Sequence, residues 1–342
     1  MQISNSQISN FKSPYFKSTF PETEITPFKF TNWDEIDLNY RAPLSSKFLI
    51  PRIDNGDQAS NITYYFTKPN NNNYPIGILC DGSSDVDNLK SVIHLHRYFL
   101  EDFLNLGSAV ITLEQWGIDD HQINKTDFVN HYTRSQRLID HQRLIEHLKN
   151  NPPEGWNGRF ILMGVSEGGP LITKLTEEYP ELIIASINLS GADKLPWVDE
   201  LWAFIQNLII ENPTCPHSCK LNCCNQCMAI MGSKESYDKH MTMILENPTP
   251  NKFFMNMSYK YHADAMTYKS FDPAKIKTPF LAVVGDQDPA IQSYDLFASE
   301  MVKFKAPFTY MRIEGMDHYV RKRPDIIEKT FNWLAEKIYL YV

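Results

Sequence analysis

The sequence predicts an α/β fold: a mostly parallel, twisted sheet with helices on both faces and a cap inserted late in the chain. Three observations predict it. Short apolar runs alternate with helical patterns along most of the 342 residues, which implies a sheet covered on both sides. The runs at 75–80, 160–163, 182–189 and 279–284 are near-continuous, as expected of strands buried on both faces. Several end in glycine-bearing polar turns, and sites in such sheets form at the carboxyl ends of strands.

The elements follow in order. Residues 1–44 are polar and rich in Ser, Asn, Thr and Pro, with scattered aromatics such as Phe11, Tyr15 and Phe28. They predict an N-terminal extension with little regular structure. Strands at 47–51 and 62–67 flank the turn Asp54, Asn55, Gly56, Asp57. The strand at 75–80 ends in Asp81, Gly82, Ser83 and Ser84, and buries Cys80 as a core residue. A helix over 89–106 places Val92, Leu95, Phe99, Phe103 and Leu106 on one face, and Gly107 stops it. A strand at 109–113 leads into Glu114, Gln115 and Trp116. A helix over 132–149 is broken by Asn150, Asn151, Pro152 and Pro153. The run 160–163 is followed by a helix over 170–178, and a strand at 182–189 ends in Ser190 and Gly191. Strands at 279–284 and 309–313, with helices over 291–302 and 324–339, complete the pattern.

The alternation lapses between 192 and 277, where only 201–210 reads as a helix. These boundaries predict a core of 45–192 and 276–342 and a cap insertion of 193–275. Five of the six cysteines fall in that insertion. Cys215, Cys219, Cys224 and Cys227 have spacings that suit a structural zinc, with Cys223 or His217 as substitutes. A disulfide staple and an uncoordinated loop stay open beside that reading. The Met- and aromatic-rich stretch from Phe253 to Tyr268 is either cap core or the lining of an apolar pocket.

The chemistry centres on Gly164, Val165, Ser166, Glu167, Gly168 and Gly169. A strand before and a helix after Gly-x-Ser-x-Gly is the context of a nucleophile elbow, which holds a hydroxyl proud of the sheet at a helix N-terminus. A serine needs a base within hydrogen-bond reach, and the base an orienting acid. Asp288 and then His318 follow, each just past a strand, within Gly285-Asp286-Gln287-Asp288 and Gly315-Met316-Asp317-His318.

In these motifs the chain resembles the α/β-hydrolases, in the style of the dienelactone-hydrolase and prolyl-oligopeptidase-like branch. The resemblance covers about residues 45–340 apart from the cap. It implies a catalytic triad of Ser166, His318 and Asp288. It also implies an oxyanion hole from the backbone N–H of Glu167 and of Ser83, with Ser84 as the alternative donor. The family often carries His-Gly where this chain has Asp81-Gly82.

Other readings compete at single residues. Asp286 is a second candidate acid or a turn residue, and Asp317 a loop residue. The Glu167 carboxylate either contacts substrate or faces solvent in the first helical turn. Glu114 and Trp116 either pack the pocket wall or touch substrate, and Trp116 is the candidate substrate-binding residue. The other histidines, including His94 and His96, read as surface or satisfied core residues.

Composition bounds the partners. The chain is 42% hydrophobic with a net charge of −8, so no basic field favours nucleic acid or an anionic membrane. It lacks the roughly eighteen-residue apolar run of a transmembrane helix, and residues 1–20 lack a signal-peptide core. A cytoplasmic protein is the default expectation, with signal-independent export open. The expected function is a serine hydrolase (serine esterase) cleaving a small-molecule carboxylic ester or thioester, with no catalytic cofactor. The alternatives are a prolyl-oligopeptidase-type peptidase and a hydrolase-fold protein that binds without turnover.

Overall fold

The computed structural model describes residues 46–52, 60–87, 89–119, 122–191, 194–211 and 230–339. The extension 1–44, the turn 54–57 and the four candidate metal ligands Cys215, Cys219, Cys224 and Cys227 lie outside the described residues.

The central sheet has eight strands: β1 (Ser46–Arg52), β2 (Ser60–Thr67), β3 (Tyr74–Cys80), β4 (Ala109–Leu113), β5 (Trp156–Val165), β6 (Ile183–Leu189), β7 (Phe280–Gly285) and β8 (Phe308–Ile313). Their spatial order is β1-β2-β4-β3-β5-β6-β7-β8. The first two junctions are antiparallel, and every junction from β4 to β8 is parallel. Pro51 sits in β1, the sheet's edge strand, where a missing N–H is tolerated. The chain passes from β4 across β3 to β5. That crossover is a topological switch point, where such sheets open a crevice at their carboxyl ends.

The helices are α1 (Ile93–Asn105), α2 (Lys125–His131), α3 (Arg134–Asn150), α4 (Gly168–Glu178), α5 (Trp197–Glu211), α6 (Lys234–Glu246), α7 (Tyr259–Thr267), α8 (Ile291–Lys303) and α9 (Pro324–Ile338). Side chains of successive strand residues point to opposite faces, so each buried strand feeds two cores. Phe160 and Leu162 join a cluster with α3, α4 and α8 through Leu144, Ile172 and Phe297. Ile161 and Met163 join the opposite cluster, with α1 and α9, through Phe99, Phe103 and Leu334. This is why the strands read as continuous apolar runs.

Two departures from expectation have local causes. The helix expected from 89 begins at Ile93, because the Glu114 carboxylate takes the Val92 N–H at 3.0 Å and the Ser91 hydroxyl. Those groups are thereby withheld from a longer helix. The stretch 194–267 holds α5, α6, α7 and a two-residue hairpin pairing Phe253–Phe254 with Met257–Ser258. Of these only α5 was legible. They share their own cluster, around Ile205, Tyr237, Met241, Ile244 and Phe254. Among the described residues, no helix is long and apolar enough to cross a membrane.

Among the described residues, His96, His141 and His262 are the buried histidines. His96 lies between the Thr67 and Thr112 hydroxyls, His141 faces the Arg137 carbonyl, and His262 bridges α5 and the hairpin. The Trp197 indole N–H points at His262 Nδ1 (3.2 Å) and the Phe254 carbonyl at Nε2 (2.8 Å), so the neutral Nε2–H tautomer is satisfied on both sides. Burial pushes these imidazoles down to about 3 for His96 and about 4 for His141 and His262. Below about pH 6.5 the unfolded chain binds protons that the folded one refuses, so stability is lost as pH falls from there toward the folded values. Each histidine is expected to cost on the order of 1–2 kcal/mol at pH 5. Glu114, raised by burial to about 7, works in the opposite sense. So does His94, raised by the Asp81 carboxylate against the effect of burial. Asp102, raised by burial to about 6, and Glu200, also raised by burial, oppose the histidines too, while His240, lowered by burial, adds to them. With four groups on each side the His262 effect is read as a difference: between pH 7.5 and pH 5 the melting temperature of His262→Gln should shift upward relative to that of wild type. Parallel profiles for the variant and wild type would rule out the His262 contribution.

Candidate active site

Ser166 follows β5 directly and has φ of 49°, a left-handed conformation that a side-chain-bearing residue adopts at a cost. The turn is closed by the Ser166 N–H on the Leu189 carbonyl and the Gly169 N–H on the Ser166 carbonyl, each 2.8 Å. At Gly168 a Cβ would run into the Cys80 carbonyl oxygen, so α4 can start this close to β3 only with glycine there.

The loop after β7 carries Asp288 and the loop after β8 carries His318. Parallel pairing of β7 with β8, and of β6 with both β5 and β7, brings these loops to the same edge as Ser166. His318 Nε2 is 3.0 Å from Ser166 Oγ, and His318 Nδ1 is 2.9 Å from Asp288 Oδ2. A carboxylate only accepts, so Nδ1 carries the proton and Nε2 accepts from the serine hydroxyl. Asp288 is 2% exposed, and its other oxygen accepts the Ala290 N–H at 2.9 Å, which fixes the carboxylate plane.

The competing acids sit elsewhere. Asp286 Oδ1 accepts the Gly315 N–H (2.8 Å) and so braces the loop that carries His318. Asp317 is tied to the Tyr319 N–H and to Lys322.

The loop after β3 lies against the nucleophile. A Cβ on Gly82 would stand 3.2 Å from Ser166 Cβ. The Gly82 N–H is bound to Asp81 Oδ1 (2.8 Å) and the Ser84 N–H to the Tyr132 hydroxyl (3.1 Å). The Ser84 N–H is thereby committed to another partner. Asp81 pairs with His94 at 3.1 Å; burial alone would raise its carboxyl, but His94, the Gly82 N–H and Arg137 together hold it below the usual range.

One expectation needs correction. Glu167 does not face solvent: it is 6% exposed, with Arg137 Nη1 at 2.6 Å, Arg134 Nε at 3.5 Å and the Tyr132 hydroxyl at 3.0 Å. Two cations and a hydroxyl offset the desolvation that burial costs the carboxylate. Trp116 packs in the wall of a small cavity with Glu114, Gln115 and Tyr132. It is buried, with the Arg52 guanidinium 4.1 Å from its ring centroid and the His131 imidazole stacked 4.1 Å away. Arg52 is held there by a buried ion pair with Asp140 (2.8 Å). Glu114, beside it, is likewise interior, bonded to Tyr65, Ser91 and Val92.

Arg134, Arg137 and Tyr132 were not singled out from the sequence. A signal existed: Arg134, Arg137, His141, Leu144 and Leu148 form one stripe at helical spacing, and all five are buried. Helical spacing marks the stripe as inward without saying what its two arginines meet there.

Beside His318 opens a groove of about 460 Å³ whose walls include Phe204 and Leu208 of α5, Met316 and Tyr319. Phe204 and Tyr319 are about two-fifths exposed, at 40% and 42%.

No protein-family model and no curated protein sequence matches the chain. Solved structures do. Est1E from Butyrivibrio proteoclasticus, with ferulic acid bound, is 16% identical over 82% of this chain and 96% of its own, with a TM-score of 0.54. A hyperthermophilic esterase from the archaeon Pyrobaculum calidifontis is 14% identical over 88% and 87%, with a TM-score of 0.55. Mouse alpha/beta hydrolase domain-containing protein 10 is 17% identical over 86% and 99%, with a TM-score of 0.51. At these identities the likeness is one of fold, and the fold is that of the α/β-hydrolases.

Gly168→Ala should displace the start of α4 from β3 and lower stability by roughly 2–4 kcal/mol. An unchanged urea midpoint would mean that the approach of α4 to β3 does not depend on glycine at 168.

Proposed function

We propose that the protein is a serine hydrolase that cleaves a carboxylic ester or thioester through an acyl-enzyme on Ser166. The observation that carries this is the chain of contacts Ser166 Oγ to His318 Nε2 to His318 Nδ1 to Asp288 Oδ2, at 3.0 and 2.9 Å. His318 takes the hydroxyl proton as Ser166 Oγ bonds to the carbonyl carbon, then passes it to the departing alkoxide or thiolate. A water, deprotonated by the same imidazole, attacks the acyl-enzyme and releases the acid. Asp288 holds the ring and stabilises its cation. The backbone N–H groups of Glu167 and Ser83 take the developing oxyanion, aided by the N-terminus of α4. Every group in this scheme is a side chain or backbone amide of the chain, so the reaction calls for no catalytic metal or cofactor.

The fold shared with esterases, one of them solved with ferulic acid, supports an ester over a peptide bond. The Gly-x-Ser-x-Gly-Gly elbow keeps the dienelactone-hydrolase-like branch as our placement within the superfamily. We assign 193–275 as a cap insertion, and the groove of Phe204, Leu208, Met316 and Tyr319 as the seat of a moderately apolar acyl or alcohol group.

A fluorophosphonate probe should label the wild type and not Ser166→Ala, and p-nitrophenyl esters should be hydrolysed. Asp288→Asn should lower kcat on the order of 10³–10⁴-fold with the fold intact. A folded wild type that takes no label and cleaves no ester of a graded acyl series would overturn the proposal.

A further inference from the structure

Beneath the elbow lies a buried charge cluster that the hydrolytic scheme does not use. Arg137 is 5% exposed and is the second residue of the buried stripe of α3. Its Nη1 donates to Glu167 Oε1 (2.6 Å) and to the Gly82 carbonyl (3.2 Å), and its Nη2 donates to the Asp81 carbonyl (2.6 Å). The Tyr132 hydroxyl donates to the same Glu167 oxygen (3.0 Å) and accepts the Ser84 N–H (3.1 Å).

We infer that Arg137 is the positioning residue of the oxyanion hole, its forked guanidinium clamping the turn after β5 to the loop after β3. The inference rests on the serine-hydrolase reading. The two proposed donors belong to those two segments: Glu167 follows the nucleophile, and Ser83 lies between the residues that Arg137 and Tyr132 hold. No strand pairing continues into the loop, since β3 ends at Cys80. Its distance from the elbow is therefore set by side chains.

Three features suit the clamp to this task. A guanidinium is planar, and its donors diverge at fixed angles, so one side chain can hold two carbonyls and a carboxylate in one arrangement, as an ammonium cannot. The cluster is buried, where an unpaired charge is costly, so any drift apart of the two segments is opposed by the loss of charge-assisted bonds. The third feature is the sign of the field. A lone Glu167 carboxylate next to the forming oxyanion would oppose it, but Arg134 and Arg137 together leave the cluster with one net positive charge.

The clamp also reaches the 194–267 stretch. The Tyr132 ring stacks on Tyr261 of α7 at 5.5 Å with 6° between planes, and Arg134 lies 4.3 Å from the Trp197 ring centroid.

The test compares wild type, Arg137→Lys, Arg137→Gln and Tyr132→Phe with the best p-nitrophenyl ester of a graded series. Two inhibitors bearing the same acyl group are used: a trifluoromethyl ketone, which forms a tetrahedral oxyanion adduct on serine, and a planar, uncleaved amide. We expect Arg137→Lys and Arg137→Gln to lower kcat roughly 10–100-fold with KM changed by less than about threefold. The trifluoromethyl ketone should weaken in step with kcat while the amide does not. Retention of charge in Arg137→Lys should not restore the loss. Tyr132→Phe should shift the same two quantities together by a smaller factor, and it decides the matter if neither Arg137 variant folds. Unchanged kcat, or a fall in kcat with the ketone's affinity intact, in a folded variant of an active enzyme overturns this inference alone. A wild type inert to esters and to the fluorophosphonate overturns the hydrolase reading and this inference with it.

Discussion

The backbone at Ser166 is held in a left-handed turn with φ of 49°, and much of the surrounding structure keeps it there. A turn of that kind does not persist unless its neighbours over-determine it. Here β6 receives the Ser166 N–H, the Gly169 N–H closes the turn, and α4 is let in against β3 by a residue without a Cβ. The turn then faces loops from β3, β7 and β8, because parallel strands in register end on the same edge.

Charge is distributed unevenly around that edge. On the His318 side, Asp288 is isolated from water and bonded at both oxygens. Beneath it the Tyr294 phenol is driven well above its ordinary value by burial and by Asp288, so it stays neutral and adds no charge to the acid's surroundings. On the α3 side, Glu167 and two arginines form a compact cluster with a net positive charge. The carboxylate that would attract a cation and the cluster that would favour an anion thus lie on opposite sides of the hydroxyl, which suits a reaction that develops both.

Helix α5 is fastened near the same edge. The Ser293 hydroxyl donates to Glu200 of α5 and accepts the Lys194 and Leu195 N–H groups at 3.0 and 3.1 Å. Burial raises the Glu200 carboxyl. These bonds place Phe204 and Leu208, one and two turns farther along α5, over the groove beside His318.

The parallel sheet, the strand–turn–helix around Ser166 and the order of the serine, acid and imidazole were all legible in the residues, because each is local. Apolar runs report burial on both faces, and glycines mark the turns that need them. Asp288 is set ahead of Asp286 by the resemblance of Gly285-Asp286-Gln287-Asp288 to the Gly-x-x-Asp of the α/β-hydrolases; the bonds of Asp286 to Gly315 and of Asp317 to Lys322 emerge only in the folded chain. Periodicity reports that a stripe is inward but not what it meets there. Arg134 and Arg137 therefore do not stand out in the sequence, and Glu167 reads as a first-turn glutamate that faces either solvent or substrate. Only the assembled structure places these side chains, since each is held by a partner distant in sequence: Glu167 by α3, Trp116 by β1 and α2. By itself the chain determined its fold and the identities of the groups at the sheet edge. Tertiary packing decided which charges are buried together beneath them, because the desolvation of an ion is settled by neighbours that no spacing along the chain encodes.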